Sequence, residues 1–150
     1  MLYMLQSDRF TQTDSTIHPH QAEVTIGNIR FNSYDLGGHL QARKTWSEYC
    51  GTVDGIIFMV DASDHSRMQE AKKELESLLQ MPELQNVPFV VFGNKIDKKE
   101  SLKEDEFREM LGLPYHMTQG KQANQKNPGA RPIEIFMCSV MKRVGYSDGF

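Results

Sequence analysis

The spacing of polar and apolar positions changes several times along the chain. Alternation over Glu23–Ile26 and Ile29–Tyr34, interrupted by Gly27-Asn28, predicts two short strands joined as a hairpin. A glycine there supplies the positive φ that a two-residue turn demands. Two continuous apolar runs, Gly55–Val60 and Phe89–Phe92 with Gly93 ending the second, read as strands covered on both faces, and Ile133–Met137 reads as a last strand. Between them Met68, Ala71, Leu75, Leu78 and Leu79 keep helical spacing. This helix is expected to open on a Ser66-x-x-Gln69 capping box and to stop at Met81-Pro82. A second box, Ser101 to Glu104, precedes a stripe at Phe107, Met110 and Leu111 that stops at Gly112. Phe10–His20 and Pro114–Arg131 read as polar loops, and Met1–Arg9 as a helix that starts abruptly. Strands alternating with helices imply right-handed parallel βαβ units, hence an α/β, doubly wound, mostly parallel sheet with helices on both faces.

Composition narrows the class. A chain of 150 residues, 39% apolar and 25% charged, fits one domain spanning residues 1–150 and is neither disordered nor of low complexity. The net charge of −3 argues against a nucleic-acid partner. Cys50 and Cys138 stand apart from any Cys-x-x-Cys or Cys/His cluster and read as reduced thiols of a cytoplasmic protein. The longest apolar run, Ile56–Val60, falls far short of the ~20 residues a spanning helix needs. The first residues lack the basic region and cleavage site of a secretory signal.

In an open parallel sheet, ligands bind beyond the carboxyl ends of the strands. Asp35, Asp61, Asn94 and Cys138-Ser139 all fall at such ends. In Asn94-Lys95-Ile96-Asp97 a carboxylate can accept the paired N–H donors of guanine, a pair adenine lacks. The Lys95 stem can lie over the base with its ammonium in water, while Asn94 ties neighbouring loops together. A solvated charged turn would carry the same residues. In Asp35-Leu36-Gly37-Gly38-His39 the Asp can hold magnesium through a water, and Gly38 lets a backbone N–H approach a terminal phosphate. His39 then stands where a side chain could orient an attacking water. A Gly-Gly turn after a hairpin is the plain reading of the same residues. The two motifs in this order, each at a strand end, are far more specific than either alone.

These residues resemble the Arf/Sar branch of the small GTPases, and within it the Sar type that initiates the COPII coat. The likeness runs through Asp35–His39, Gln41-Ala42-Arg43, Trp46, Tyr49, Val60-Asp61, Asp64-His65, Gly93–Asp97, Arg108-Glu109-Met110, Ala130-Arg131-Pro132, Phe136–Val140 and Gly145-Tyr146. His39 in place of the usual Gln, and a loop at Thr118–Lys121 before the last strand, point to the Sar type. The resemblance implies that Asn94, Lys95 and Asp97 bind guanine and that Ser139 and Val140 meet it through backbone N–H groups. It implies Thr16 as a magnesium ligand that senses the γ-phosphate, Asp35 as its partner at Mg2+, Gly38 as the γ-phosphate contact and His39 as the residue placing the hydrolytic water. It further implies a GTPase that binds GTP and GDP and drives ER-to-Golgi transport. The implied partners are the inner-coat subunits with a GTPase-activating role, an exchange factor resident in the endoplasmic reticulum, and the ER and Golgi membranes.

The family's phosphate loop, Gly-x-x-x-x-Gly-Lys followed by Ser or Thr, is absent from the sequence; the one Gly-Lys, Gly120-Lys121, precedes Gln122. Met1–Arg9 resembles the helix that follows that loop, so a partial domain is expected, lacking the first central strand, the phosphate loop and the last helix. Ser15 and His20 also depart from the family's Pro and Thr around Thr16. A nucleotide-free truncated isoform or pseudo-GTPase that only docks coat is therefore the alternative. A phospho-receiver with Asp61 as acceptor lacks the required acidic pair, and Asp61 reads instead as a cap on the loop into the Ser66 helix. Trp46 and Tyr49 read either as coat-contact anchors or as packing against the hairpin. Met68 and Met110 read as core.

Overall fold

The computed structural model describes residues 1, 5, 16, 18–26, 28–118 and 132–149. The expected helix over Met1–Arg9 and loop over Phe10–His20 fall largely outside them, and Gly27, Gln119–Arg131 and Phe150 do so entirely. The described residues group into two compact units, Met1–Thr52 and Val53–Phe150.

The first unit is built on the hairpin. Strands β1 (His20–Ile26) and β2 (Ile29–Asp35) pair antiparallel, with Ile26 opposite Ile29 and His20 opposite Asp35. Pairing of Ile26 with Ile29 leaves a connection of two residues, of which Gly27 lies outside the described residues. β1 runs three residues further upstream than its hydrophobic pattern indicated, because backbone pairing continues through polar His20 and Gln21. Ala22 and Val24 are its buried positions. Two short helices that the sequence pattern did not show follow, α1 (Leu40–Arg43) and α2 (Trp46–Cys50). At four and five residues they are too short to display a period. The Trp46 indole N–H donates to the Gly37 carbonyl at 3.0 Å, and the Tyr49 ring lies 5.0 Å from that of Tyr34 on β2. Both aromatics therefore serve the packing of this unit.

In the second unit β3 (Ile56–Asp61), β4 (Phe89–Asn94) and β5 (Ile133–Met137) form a parallel sheet in the order β3-β4-β5. β3 and β4 each extend past the last apolar residue, since pairing of Asp61 with Asn94 and of Gly93 with Met137 continues the ladder. Helix α3 (Met68–Gln80) joins β3 to β4, and α4 (Glu104–Leu111) lies between β4 and β5. Successive right-handed crossovers in one direction put both helices on the same face, where they pack on each other. The opposite face of β4 is met by the turn Ser147–Gly149, whose Gly149 abuts Phe92 and Val90. Among the described residues of this unit, that turn is what meets this face.

Both helix starts differ from the capping boxes expected. The Ser66 hydroxyl donates to the Asp64 carboxylate at 2.6 Å, and a 3-10 turn over His65–Arg67 leads into α3 with no side-chain cap. The second start shifts by two residues: the Lys103 N–H donates to Glu106 Oε2 at 2.9 Å, and Glu104, Asp105 and Glu106 fill the first turn, where the helix dipole favours anions. The C-terminal end is as the pattern indicated. Gly112 takes φ +72° and closes α4 in the left-handed cap that glycine adopts freely. Met68 and Leu75 are fully buried, and Phe107 and Leu111 bury the facing stripe of α4.

Two charged side chains, Arg108 and Glu134, are buried together in this core. Arg108 is 2% exposed and donates to Glu134 on β5 at 2.6 Å, to Glu104 at 2.9 Å and to the Thr118 hydroxyl at 2.9 Å. Tyr115 lies over the guanidinium, 4.1 Å from Cζ to the ring centre. Removing one member of a buried pair strands the other, so Arg108→Ala costs about 3–5 kcal/mol in urea unfolding. Adding Glu134→Gln to that variant returns part of the loss. Gly145 has φ +79°, and a Cβ there would stand 2.1 Å from the Met137 carbonyl oxygen. Gly145→Ala therefore lowers stability by about 1–3 kcal/mol in the same assay.

Candidate functional site

The second unit gathers its polar groups at the carboxyl end of β4. Asn94 closes the strand, and its backbone carbonyl accepts the Ala62 N–H at 2.9 Å, which fixes the loop after β3 to it. Its side-chain oxygen accepts the Val140 N–H at 3.1 Å and faces the Cys138 thiol at 3.7 Å. Asn94 thus ties the loop after β4 to the loop after β5, as its amide chemistry suggested. Three residues on, the Asp97 carboxylate accepts the hydroxyl of fully buried Ser139, and Ser139 Oγ in turn accepts the Lys142 N–H at 3.0 Å. The Asn94-Lys95-x-Asp97 run and the Cys138-Ser139-Val140 run, distant in sequence, are one cross-linked cluster.

Two expectations change here. Ser139 and Val140 were expected to offer backbone N–H groups to a base. Both already have acceptors: Ser139 N–H donates to the Val144 carbonyl at 3.0 Å, and Val140 N–H to Asn94. Ser139 contributes through its hydroxyl instead, by orienting Asp97. Lys95 was expected to leave its ammonium in water. It adopts φ +72° and places Nζ 2.6 Å from Asp61 Oδ2. Asp61 does organise the loop after β3, its Oδ1 accepting the Ser63 N–H at 2.9 Å and the Ser63 hydroxyl at 2.6 Å. Burial alone would raise the Asp61 carboxyl, but the bonds from Lys95 and Ser63 outweigh it and hold the group below its ordinary value. Two parallel strands ending in register bring Asp61 beside Asn94-Lys95. Burial pushes the Cys138 thiol up to about 11, so it stays protonated and packs as a small apolar group.

The first unit carries the other candidates. The Thr16 hydroxyl donates to Asp35 Oδ2 at 3.3 Å, bringing two hard oxygen donors together at the end of β2. That donor chemistry suits Mg2+, which takes oxygen ligands and keeps several waters. Among the described residues no group of three or more His, Cys, Asp or Glu side chains could hold a metal by itself. The two glycines that follow differ sharply. A Cβ on Gly37 would stand 2.1 Å from the Thr16 carbonyl oxygen and 2.9 Å from Ala42 Cβ, so packing demands glycine there. Among the described residues a Cβ on Gly38 would meet nothing within 4 Å, so packing does not demand the second glycine. The Gly38 carbonyl accepts Arg43 Nε–H at 2.7 Å, a contact the pattern did not suggest, and half-buried His39 follows in extended conformation at the start of α1.

The chain is similar to known proteins over its whole length. The sequence profile of the ADP-ribosylation factor (Arf) family matches residues 1–150. A protein of Giardia intestinalis described as the small COPII coat GTPase SAR1 is 37% identical over 150 residues, covering all of this chain and 78% of its own length. Its counterpart of the same description in Nicotiana tabacum is 35% identical over 156 residues, with the same coverage. Among solved structures, the Arl6 (BBS3) small GTPase of Trypanosoma brucei, determined with the nucleotide analogue GppNp, superposes with a TM-score of 0.81 at 27% identity. That match covers 98% of this chain and 82% of the other. With its whole length matched and its strand-end motifs in place, the chain belongs to the Arf family, in the Arf/Sar branch, and has the small-GTPase fold.

Proposed function

We propose that this protein is a GTP-binding and GTP-hydrolysing switch that initiates COPII coat assembly in ER-to-Golgi transport. The observation that carries the reading is the cluster in which Ser139 orients Asp97 while Asn94 clamps the two flanking loops. A carboxylate held in that way is set to accept the ring N–H and exocyclic amine of guanine, and a purine lacking that pair leaves it unsatisfied. Asn94, Lys95, Asp97, Ser139 and Val140 form the guanine end of the site. Thr16 and Asp35 would hold Mg2+, which neutralises phosphate charge when bound. The Gly38 N–H takes the γ-phosphate, and His39 orients the water whose oxygen bonds to the γ-phosphorus as the bond to the β-phosphate breaks. GDP and inorganic phosphate are the products.

The relatives' description supports the coat as the setting. Recruitment follows GTP-dependent ordering of the loops around Thr16 and Gly38, and release follows hydrolysis. Inner-coat subunits supply the activating arginine, and an ER-resident exchange factor reloads GTP. The protein acts in the cytoplasm at the surface of the endoplasmic reticulum and Golgi. Among the described residues no helix is long and apolar enough to cross a membrane. A second reading, a coat-binding module that works without nucleotide, is favoured by one observation: the sequence holds no Gly-x-x-x-x-Gly-Lys-Ser/Thr run.

Thermal unfolding with Mg2+ and GDP separates the two. GDP at a hundredfold excess over Kd stabilises the folded protein by ~2.7 kcal/mol, while ADP does not. No GDP shift, with coat captured in nucleotide-free buffer, establishes the second reading. Asp97→Asn exchanges the acceptor for a donor, so its shift moves from GDP to xanthosine diphosphate, which carries a carbonyl where guanine has the amine. Gly38→Ala unfolds at the same temperature as the wild type, whereas the preference for a GTP analogue over GDP falls about tenfold, the scale of one hydrogen bond to a charged group.

A further inference from the structure

We propose that Asp61 is the positioning residue for Lys95, fixing the lysine stem as a flat apolar rail for the purine face. The inference deepens the guanine reading above and rests on it.

Lys95 and Arg143 are the described non-glycine residues at positive φ. That conformation is sterically disfavoured for a lysine, so something must hold it. Beyond the Lys95 Cα the structure shows one strong restraint on the side chain, the 2.6 Å contact between Nζ and Asp61 Oδ2. The carboxylate is itself immobilised, because Ser63 occupies Oδ1 with two donors. The loop on which Asp61 stands is stitched to the loop that follows Lys95. Ala62 N–H reaches the Asn94 carbonyl and Leu102 N–H reaches the Ala62 carbonyl, each at 2.9 Å, and the His65 ring meets the Glu100 carbonyl at 2.6 Å. Asp61 and the 94–102 loop are therefore placed as one body.

The pair is half open to water, with side-chain exposures of 47% for Lys95 and 30% for Asp61. An ion pair of that kind adds little to stability. Its consequence is geometric. A free lysine samples many rotamers, and anchoring Nζ stretches the four-carbon stem between its Cα and β3, leaving the methylenes as an apolar face. The ordering cost is then met before the nucleotide arrives. A methylene face cannot distinguish ring substituents, so Asp61 acts on purine nucleotide affinity in general. Preference for guanine stays with Asp97.

The test is a double-mutant cycle on the full chain. GDP and IDP affinities are measured for the wild type, Asp61→Asn, Lys95→Ala and the double variant, alongside 15N spectra of the lysine ammonium groups without nucleotide. Asp61→Asn is expected to weaken GDP and IDP by the same factor, about three- to tenfold. The double variant then binds like Lys95→Ala alone. The wild type gives a slowly exchanging Lys95 ammonium signal that Asp61→Asn abolishes. Unchanged affinity in Asp61→Asn, or effects that multiply in the double variant, overturns the proposal, as does the absence of the Lys95 signal in the wild type. If the wild type binds neither nucleotide, the guanine reading falls and takes this role with it; a Lys95 signal that persists then identifies the pair as purely structural.

Discussion

Strand β4 is hydrogen-bonded on both sides and covered on both faces, and the second unit is organised by that constraint. Phe89, Val91 and Phe92 are essentially removed from water, and Gly93 leaves no room for a side chain beside Met137 and Phe107. Such a strand has nowhere to move. Its last residue, Asn94, therefore emerges at a fixed point, and every backbone group that follows must find a partner there or face solvent. The solution is economical: the Asn94 amide closes the loop after β5, its backbone carbonyl closes the loop after β3, and the residues beyond it form the candidate base site.

The buried Arg108–Glu134 pair works on a different scale. It crosses from α4 to β5 and also gathers Glu104, Thr118 and the ring of Tyr115 around one guanidinium. An apolar pair of similar volume would stabilise such a position as well or better. What the ion pair adds is direction, since the planar donors must meet particular oxygens and so permit few other placements of the helix against the strand. The dimensions of the strand-end cluster depend on that placement, because α4 begins shortly after Asp97 and its Phe107 packs against Gly93.

In the first unit the adjacent glycines separate two kinds of requirement. Gly37 is glycine because Thr16 and Ala42 leave no space for a Cβ, and its carbonyl also receives the Trp46 indole. Gly38 has open space among the described residues, so no packing contact there requires its glycine. Backbone N–H groups without a neighbouring Cβ are where phosphates approach closely. The Thr16–Asp35 contact and His39 belong to this same unit, to which the proposed function assigns Mg2+ and phosphate.

The strands, the apolar stripes of both long helices, the hairpin and the glycine stop of α4 were legible in the sequence, because each depends on periodicity or on the conformational freedom of one residue. The motifs Asp35–His39 and Asn94–Asp97 were legible for a related reason: their chemistry resides in residue type and short spacing. Other features were fixed only by tertiary structure. The short helices after Gly38 lack the length to show a period, and both expected capping boxes changed once Asp64 and Glu106 proved to be the acceptors at those helix starts. The Arg108–Glu134 pair, the bond from the Val140 amide to Asn94, and the Asp61–Lys95 contact each join residues far apart in sequence. Local pattern carries no information about such distances. They follow from the register of parallel strands and from the rule that buried polar groups must be satisfied by whatever the fold brings near.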